Sequence, residues 1–296
     1  MIAMSISNGY SRREMIRNSI SVGAIASISS VWDIFYSENK NDYKIGACDW
    51  SIGKRNDVGS IKLAKKIGLD GVQVSLGSRE NNMHLRKKEV QQAYWDEVRK
   101  HRVKVSSLAI GELNKVPFKS EIETEQWVAD SIDVAKAMDC KVILLAFFEK
   151  GDLRGDEAGI SEVIRRLKKI APKAEREGVI LGIESWLSAD KHLEIIQAVG
   201  SKNVKVYYDV ANSFQMGYDI YDEMTRLGKE FICEIHAKEN GYLLGKGKID
   251  FTKIKVILDK MKYNGWVIIE NAVPKHAEIL ESYVANNRYL RSVLND

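Results

Sequence analysis

The chain predicts a single (β/α)8 barrel over residues 43–296, with residues 1–42 set apart as an N-terminal signal segment and linker. Three observations lead there. Eight short apolar runs alternate with eight longer amphipathic stretches over about 250 residues, the rhythm of a closed barrel of βα units. The last four runs end in acidic or imidazole side chains, at Glu184, Asp209, His236 and Glu270. The first run leads into CDWSIGK and not into the GxGxxG turn expected of an open, doubly wound sheet.

The strands are read in order as KIGAC (44–48), DGVQV (70–74), KVSSLAI (104–110), KVILLAF (141–147), VILGIE (179–184), VKVYYD (204–209), ICEIHAK (232–238) and WVIIEN (266–271). Each is short, apolar and rich in Val and Ile, as fully buried parallel strands are. The stretches between them, from VGSIKLAKKIG to HAEILESYVANNRYLRSVL, carry apolar residues three and four apart with charges on the other face. Gly68, Gly178, Gly200 and Gly228 stand at helix stops. The Gly- and charge-rich loop 148–159 is long enough to serve as a lid.

Bulk composition narrows the function. With 45 basic and 41 acidic residues the net charge is +4, too balanced for a nucleic-acid-binding protein. Cys48, Cys140 and Cys233 have no CxxC spacing and read as small buried hydrophobes. The N-terminus is different. SRREMIR (11–17) precedes the uncharged stretch Asn18–Trp32, which is too short to span a bilayer. The pair Arg12–Arg13 resembles a twin-arginine export motif, and Ala24-Ile25-Ala26 offers a cleavage site. The expectation is export by the twin-arginine machinery to the periplasm, without stable membrane insertion. A basic helix that stays on a cytoplasmic protein is the competing reading. A homo-oligomer is compatible with either.

In such a barrel the strand C-termini converge on one rim, where active sites form. Glu184, Asp209, His236 and Glu270, spaced by 25, 27 and 34 residues, would come from strands five to eight. Any one of them alone reads as a cap for the following helix. Four in succession read as a site for one divalent metal ion, Mn2+ or Mg2+ before Co2+ or Zn2+. Such a cation would acidify the proton between a sugar's carbonyl and the neighbouring hydroxyl through an enediolate, with one carboxylate removing that proton and a second returning it.

GIES (182–185), YYDVAN (207–212), IHAKEN and LLGKGKIDF (within 235–251) and IIEN (268–271) resemble the xylose isomerase-like TIM barrels, a family that includes sugar phosphate isomerases and epimerases, ketose 3-epimerases and endonuclease IV. The resemblance implies that Glu184, Asp209, His236 and Glu270 are the metal ligands and that Glu184 and Glu270 are also the acid/base pair. The extra histidines of the multi-zinc nuclease are missing, because Gln73 and Val74, Ala109 and Ile110, and Asn212 stand there instead. Tyr242 falls where the ketose epimerases carry a substrate-contacting Arg.

For the substrate, Lys238 and Asn212 are expected to meet oxygens, and Trp186 and Trp50 to stack on a ring or cover the barrel mouth. Glu112, Glu149, Lys246 and Lys248 are secondary candidates. The expected activity is metal-dependent isomerisation or epimerisation of a sugar or sugar derivative. A dehydratase or lyase acting on a keto-sugar or inositol derivative shares the first proton abstraction. A non-catalytic sugar-binding barrel would have a broken ligand set.

Overall fold

The computed structural model describes residues 43–295, so the twin-arginine segment lies outside the described residues. Eight strands form a closed barrel in the order β1 to β8: Lys44–Cys48, Gly71–Ser75, Lys104–Ile110, Val142–Phe147, Ile180–Ser185, Val204–Asp209, Ile232–Lys238 and Trp266–Glu270. All neighbours are parallel, and β8 closes on β1 from Lys44↔Trp266 to Ala47↔Ile269. Among the described residues, nine α-helices run between and after the strands: α1 Gly59–Ile67, α2 Lys88–His101, α3 Glu123–Ala137, α4 Glu157–Glu177, α5 Ala189–Val199, α6 Val210–Gln215, α7 Ile220–Phe231, α8 Phe251–Lys260 and α9 Ile279–Leu294. No helix among the described residues is long and apolar enough to cross a membrane.

The expected strands sit within one residue of the observed ones. β2 starts at Gly71 because the Asp70 carboxylate is turned aside to accept the N–H of Ile45. Gly68, Gly178 and Gly200 end helices α1, α4 and α5 in the left-handed conformation. Gly228 does not end α7; it breaks the helix from inside (φ 57°, ψ −175°), and a last turn runs on to Phe231. The final helix starts three residues later than expected, because His276 has φ 65° and so lies outside it. Helix α6 has no counterpart among the sequence-derived elements.

Alternation along the strands separates two environments. In β4, Ile143, Leu145 and Phe147 join the large core under the helices, while Val142, Leu144 and Ala146 pack inside the barrel with Tyr207 and Cys233. The lumen is tight. A Cβ at Gly182 would come within 2.8 Å of Cys233 Sγ, and one at Gly46 within 2.7 Å of Ile268. The lumen also carries Gln73, Ser107 and Glu234, all buried and hydrogen-bonded. Its upper half is therefore a polar platform beneath the rim.

One buried histidine serves the fold. His192 on α5 donates from Nδ1 to the Ser188 carbonyl (3.0 Å) and accepts at Nε2 from Ser185 (2.9 Å), so both nitrogens are satisfied in the neutral ring. Burial depresses its pKa from 6.5 to about 4. The unfolded chain takes up the proton near 6.5 and the folded chain only near 4, so this stability is complete above pH 6.5 and is lost as pH falls. The difference amounts to roughly 3 kcal/mol. In urea unfolding at pH 7.5 and 4.5, His192→Gln is expected to lose less stability on acidification than the parent. Equal losses would contradict this account.

Candidate metal centre and active site

The strand ends bring four side chains to one point. Leu181 and Ile183 of β5 face the outer core, which leaves Glu184 on the lumen side. Ile235 and Ala237 place His236 and Lys238 inward on β7 in the same way, and Val267 and Ile269 place Glu270 inward on β8. One ligand atom from each of Glu184, Asp209, His236 and Glu270 lies within 4.8 Å of all the others, and all four residues are buried. The three carboxylates surround a single nitrogen. His236 Nδ1 is 2.7 Å from Glu184 Oε1, 3.7 Å from Glu270 Oε2 and 3.8 Å from Asp209 Oδ2.

What orients the imidazole is a chain of lumen hydrogen bonds. Gln73 Nε2 donates to Ser107 Oγ (3.1 Å) and Tyr207 Oη (2.9 Å), so its carbonyl oxygen faces His236. His236 Nε2 lies 2.9 Å from that oxygen and must carry a proton to bond it. The Nδ1 lone pair of the neutral ring is thereby aimed at the carboxylates. Ser107 in turn donates to Glu234 (2.6 Å), whose carboxyl burial pushes up to about 8. Sequence reasoning noticed Gln73 only as the absence of a zinc ligand, and gave Cys48, Ser107, Tyr207 and Glu234 no role near the site. Lone polar residues inside apolar strands were the available signal.

Asp209 divides its two oxygens. Oδ1 accepts the N–H groups of Ala211 and Asn212, both at 2.8 Å, and so caps α6. Oδ2 is buried with no hydrogen-bond partner. The helix-cap reading and the ligand reading thus apply to different atoms of one carboxylate. Lys238 Nζ donates to Glu270 Oε2 (2.9 Å) and Asn212 Oδ1 (3.2 Å) and lies 3.4 Å from Asp209 Oδ2. Trp50 Nε1–H donates to the other oxygen of Glu270 at 2.8 Å. Trp50 therefore orients a carboxylate as well as walling the site.

These surroundings separate two equally buried glutamates. Burial pushes Glu184 up to about 7, with Glu270 and Asp209 adding to the rise and His236 opposing it. Burial would also raise Glu270, but Lys238 and His236 outweigh it and hold that carboxyl at about 2. Burial disfavours a charged His236, yet Cys48, Glu184 and Glu270 raise its pKa well above 6.5. A proton on Nδ1 then does what a divalent cation would do, screening three carboxylates from one another. Three hard oxygen donors, one of them the buried Asp209 Oδ2 that accepts no hydrogen bond, and one imidazole fit such a cation.

Above the cluster opens a cavity of about 190 Å³. Trp50, Trp186, Asn212 and Lys238 line it, as do Arg55 and Asn114, which sequence reasoning did not select. The 148–159 loop lies along this rim. Its Phe148 packs edge-on against Trp186 at 5.0 Å, and Arg154 sits 4.5 Å over the same ring, clamped by Asp152. Glu112 and Glu149 do not line the cavity; Glu112 accepts a backbone N–H from Arg79. Lys246 and Lys248 also stay off this cavity, in the turn before the Asp250 cap of α8.

Residues 61–292 match the model of the xylose isomerase-like TIM barrel family. The chain belongs to that family. Among curated relatives of this xylose isomerase-like protein, an uncharacterised protein of Methanocaldococcus jannaschii is 25% identical over 185 residues, covering 54% of this chain and 62% of that one. The 2-epi-5-epi-valiolone 7-phosphate 2-epimerase of an Actinoplanes species is 23% identical over 201 residues, covering 66% and 72%. Among solved structures, 3-keto-D-glucoside 4-epimerase from E. coli superposes with a TM-score of 0.71 at 14% identity, covering 85% of this chain and all of that one. At that identity the likeness is one of fold.

Proposed function

We propose that this family member is a divalent-metal-dependent epimerase or isomerase of a sugar or sugar derivative. The observation that carries the reading is the convergence of three buried carboxylates on one imidazole nitrogen at the barrel mouth. The epimerase named among its relatives supports it. Glu184, Asp209, His236 and Glu270 would hold the cation, Mn2+ or Mg2+ by the hardness of the donors. Once bound, it would polarise a carbonyl and make the neighbouring carbon-bound proton acidic.

The remaining work falls to the chain's own groups. Glu270, ionised and oriented by Trp50 and Lys238, takes the proton of the reacting carbon from its own side of the cavity. Glu184, in its protonated form, delivers a proton to the reacting carbon from the other side. Lys238 stays protonated between Asp209 and Glu270 and presents positive charge to a substrate oxygen. Trp50 and Trp186 exclude water from the ring between them.

Incubation of the Mn2+-loaded protein with a panel of keto-sugars in D2O is the test. Metal-dependent deuterium incorporation next to a carbonyl, with an inverted or isomerised product, is the expected result. Incorporation followed by loss of water would move the assignment to a lyase. No exchange on any sugar with metal bound would remove the reading.

A further inference from the structure

The metal cavity is not the end of the concave surface. A second groove, of about 570 Å³, shares Trp186, Asn212 and Lys238 with it and continues over the loops after β6 and β7. Among the described residues, the exposed large apolar side chains include two aromatics, Phe214 and Tyr242, and both line this groove. The cavity over the metal cluster, at about 190 Å³, is small beside the roughly 300–1,000 Å³ of sites that enclose larger ligands. A ligand too large for that cavity would extend into the groove that adjoins it at Trp186, Asn212 and Lys238.

A second observation concerns Glu239, which lines the groove and is 4% exposed. Its Oε1 accepts the N–H groups of Lys248 (2.8 Å) and Ile249 (3.4 Å), while its Oε2 is buried with no hydrogen-bond partner. A buried acceptor without a donor is costly to leave unmade. Ring hydroxyls are donors of the kind it lacks.

The chemistry of the groove favours a neutral polyol over a phosphate. The N–H groups of Ala211 and Asn212 are taken by Asp209, and those of Lys248 and Ile249 by Glu239. Lys238 is paired with Glu270, and Lys248 faces the groove beside a carboxylate. Aromatic side chains beside a carboxylate oxygen that lacks a donor suit the apolar face and hydroxyl edge of a sugar ring.

We propose that the groove is a second-ring subsite. Resting on the function proposed above, this makes the substrate a glycoside, with its carbonyl-bearing ring over the metal cluster and the linked ring lying against Trp186 and Tyr242, one hydroxyl donating to Glu239.

Binding tests the subsite independently of turnover. Saturation-transfer NMR and calorimetry on the Mn2+-loaded protein would use glucose, glucose 6-phosphate and a panel of α- and β-linked glucobioses. At least one glucobiose is expected to bind about tenfold more tightly than glucose or its phosphate, the scale of burying one ring against an aromatic face. Tyr242→Ala, an exposed position, is expected to remove that advantage, and Glu239→Gln to reduce it. Glucobioses that bind no better than glucose, a preference for the phosphate, or a preference untouched by Tyr242→Ala would each overturn the proposal. Deuterium exchange on fructose against 3-, 4- and 6-linked glucosyl-fructoses separates the two readings. Exchange that is equally fast on fructose sinks the subsite alone, and loss of exchange on every sugar leaves the subsite to the binding result.

Discussion

Glu184→Gln and Glu270→Gln each lower the rate of metal-dependent proton exchange by about a thousandfold, the scale of removing a positioned acid/base group. The two substitutions differ in their effect on stability, and that difference reports on the site. Glu184 is held near neutrality by burial and by its acidic neighbours, so a neutral amide of the same shape leaves the chelated protein as stable as before, or more so. Glu270 is ionised, and both of its oxygens are bonded, to Trp50 and to Lys238. Its amide leaves the largely buried Lys238 ammonium short of a partner, at a cost of about 2 kcal/mol in the chelated protein. Parallel kinetics and thermal melts on the two variants check this. Retained exchange in either, at more than a tenth of the parent rate, contradicts the assigned roles.

Chelation is expected to have the second large effect. With EDTA the exchange activity is lost, and readdition of Mn2+ at a thousand times its dissociation constant stabilises the fold by about 4 kcal/mol. The physical origin is the crowding of Glu184, Asp209 and Glu270, whose ligand atoms lie within 4.8 Å of one another and of His236. Protons compete with the cation for the same atoms. Glu184 takes its proton near pH 7, so the Mn2+-induced rise in melting temperature is larger at pH 8 than at pH 6. Unchanged melting after chelation, together with no metal by elemental analysis, would show that the cluster holds no cation.

Much of this architecture was legible in the residues. The eight strands were readable because Val- and Ile-rich runs recur between amphipathic helices, and the four strand-end residues stood out because each closes such a run. Local patterns say less about partners across the barrel. Gln73 and His236 are 163 residues apart, and Trp50 and Glu270 are 220 apart, and only barrel closure makes them neighbours. Helix α6 escaped notice because its six residues are too few to show a period, and its start depends on the Asp209 oxygen that caps it. The groove past Trp186 was hidden for a related reason. It is assembled from two loops, and the spent hydrogen-bonding capacity of Glu239 and the unspent part of it are properties of the folded chain.

The bonds from Gln73 through Ser107 and Tyr207 to Glu234 run inside the strands, below every loop that lines the cavity. Loops at the rim can therefore be exchanged for those of relatives without disturbing what aims the imidazole. Grafting experiments on this scaffold should alter which sugar is accepted while the reaction stays the same. Changes in the lumen, though remote from any substrate, should erase the chemistry first.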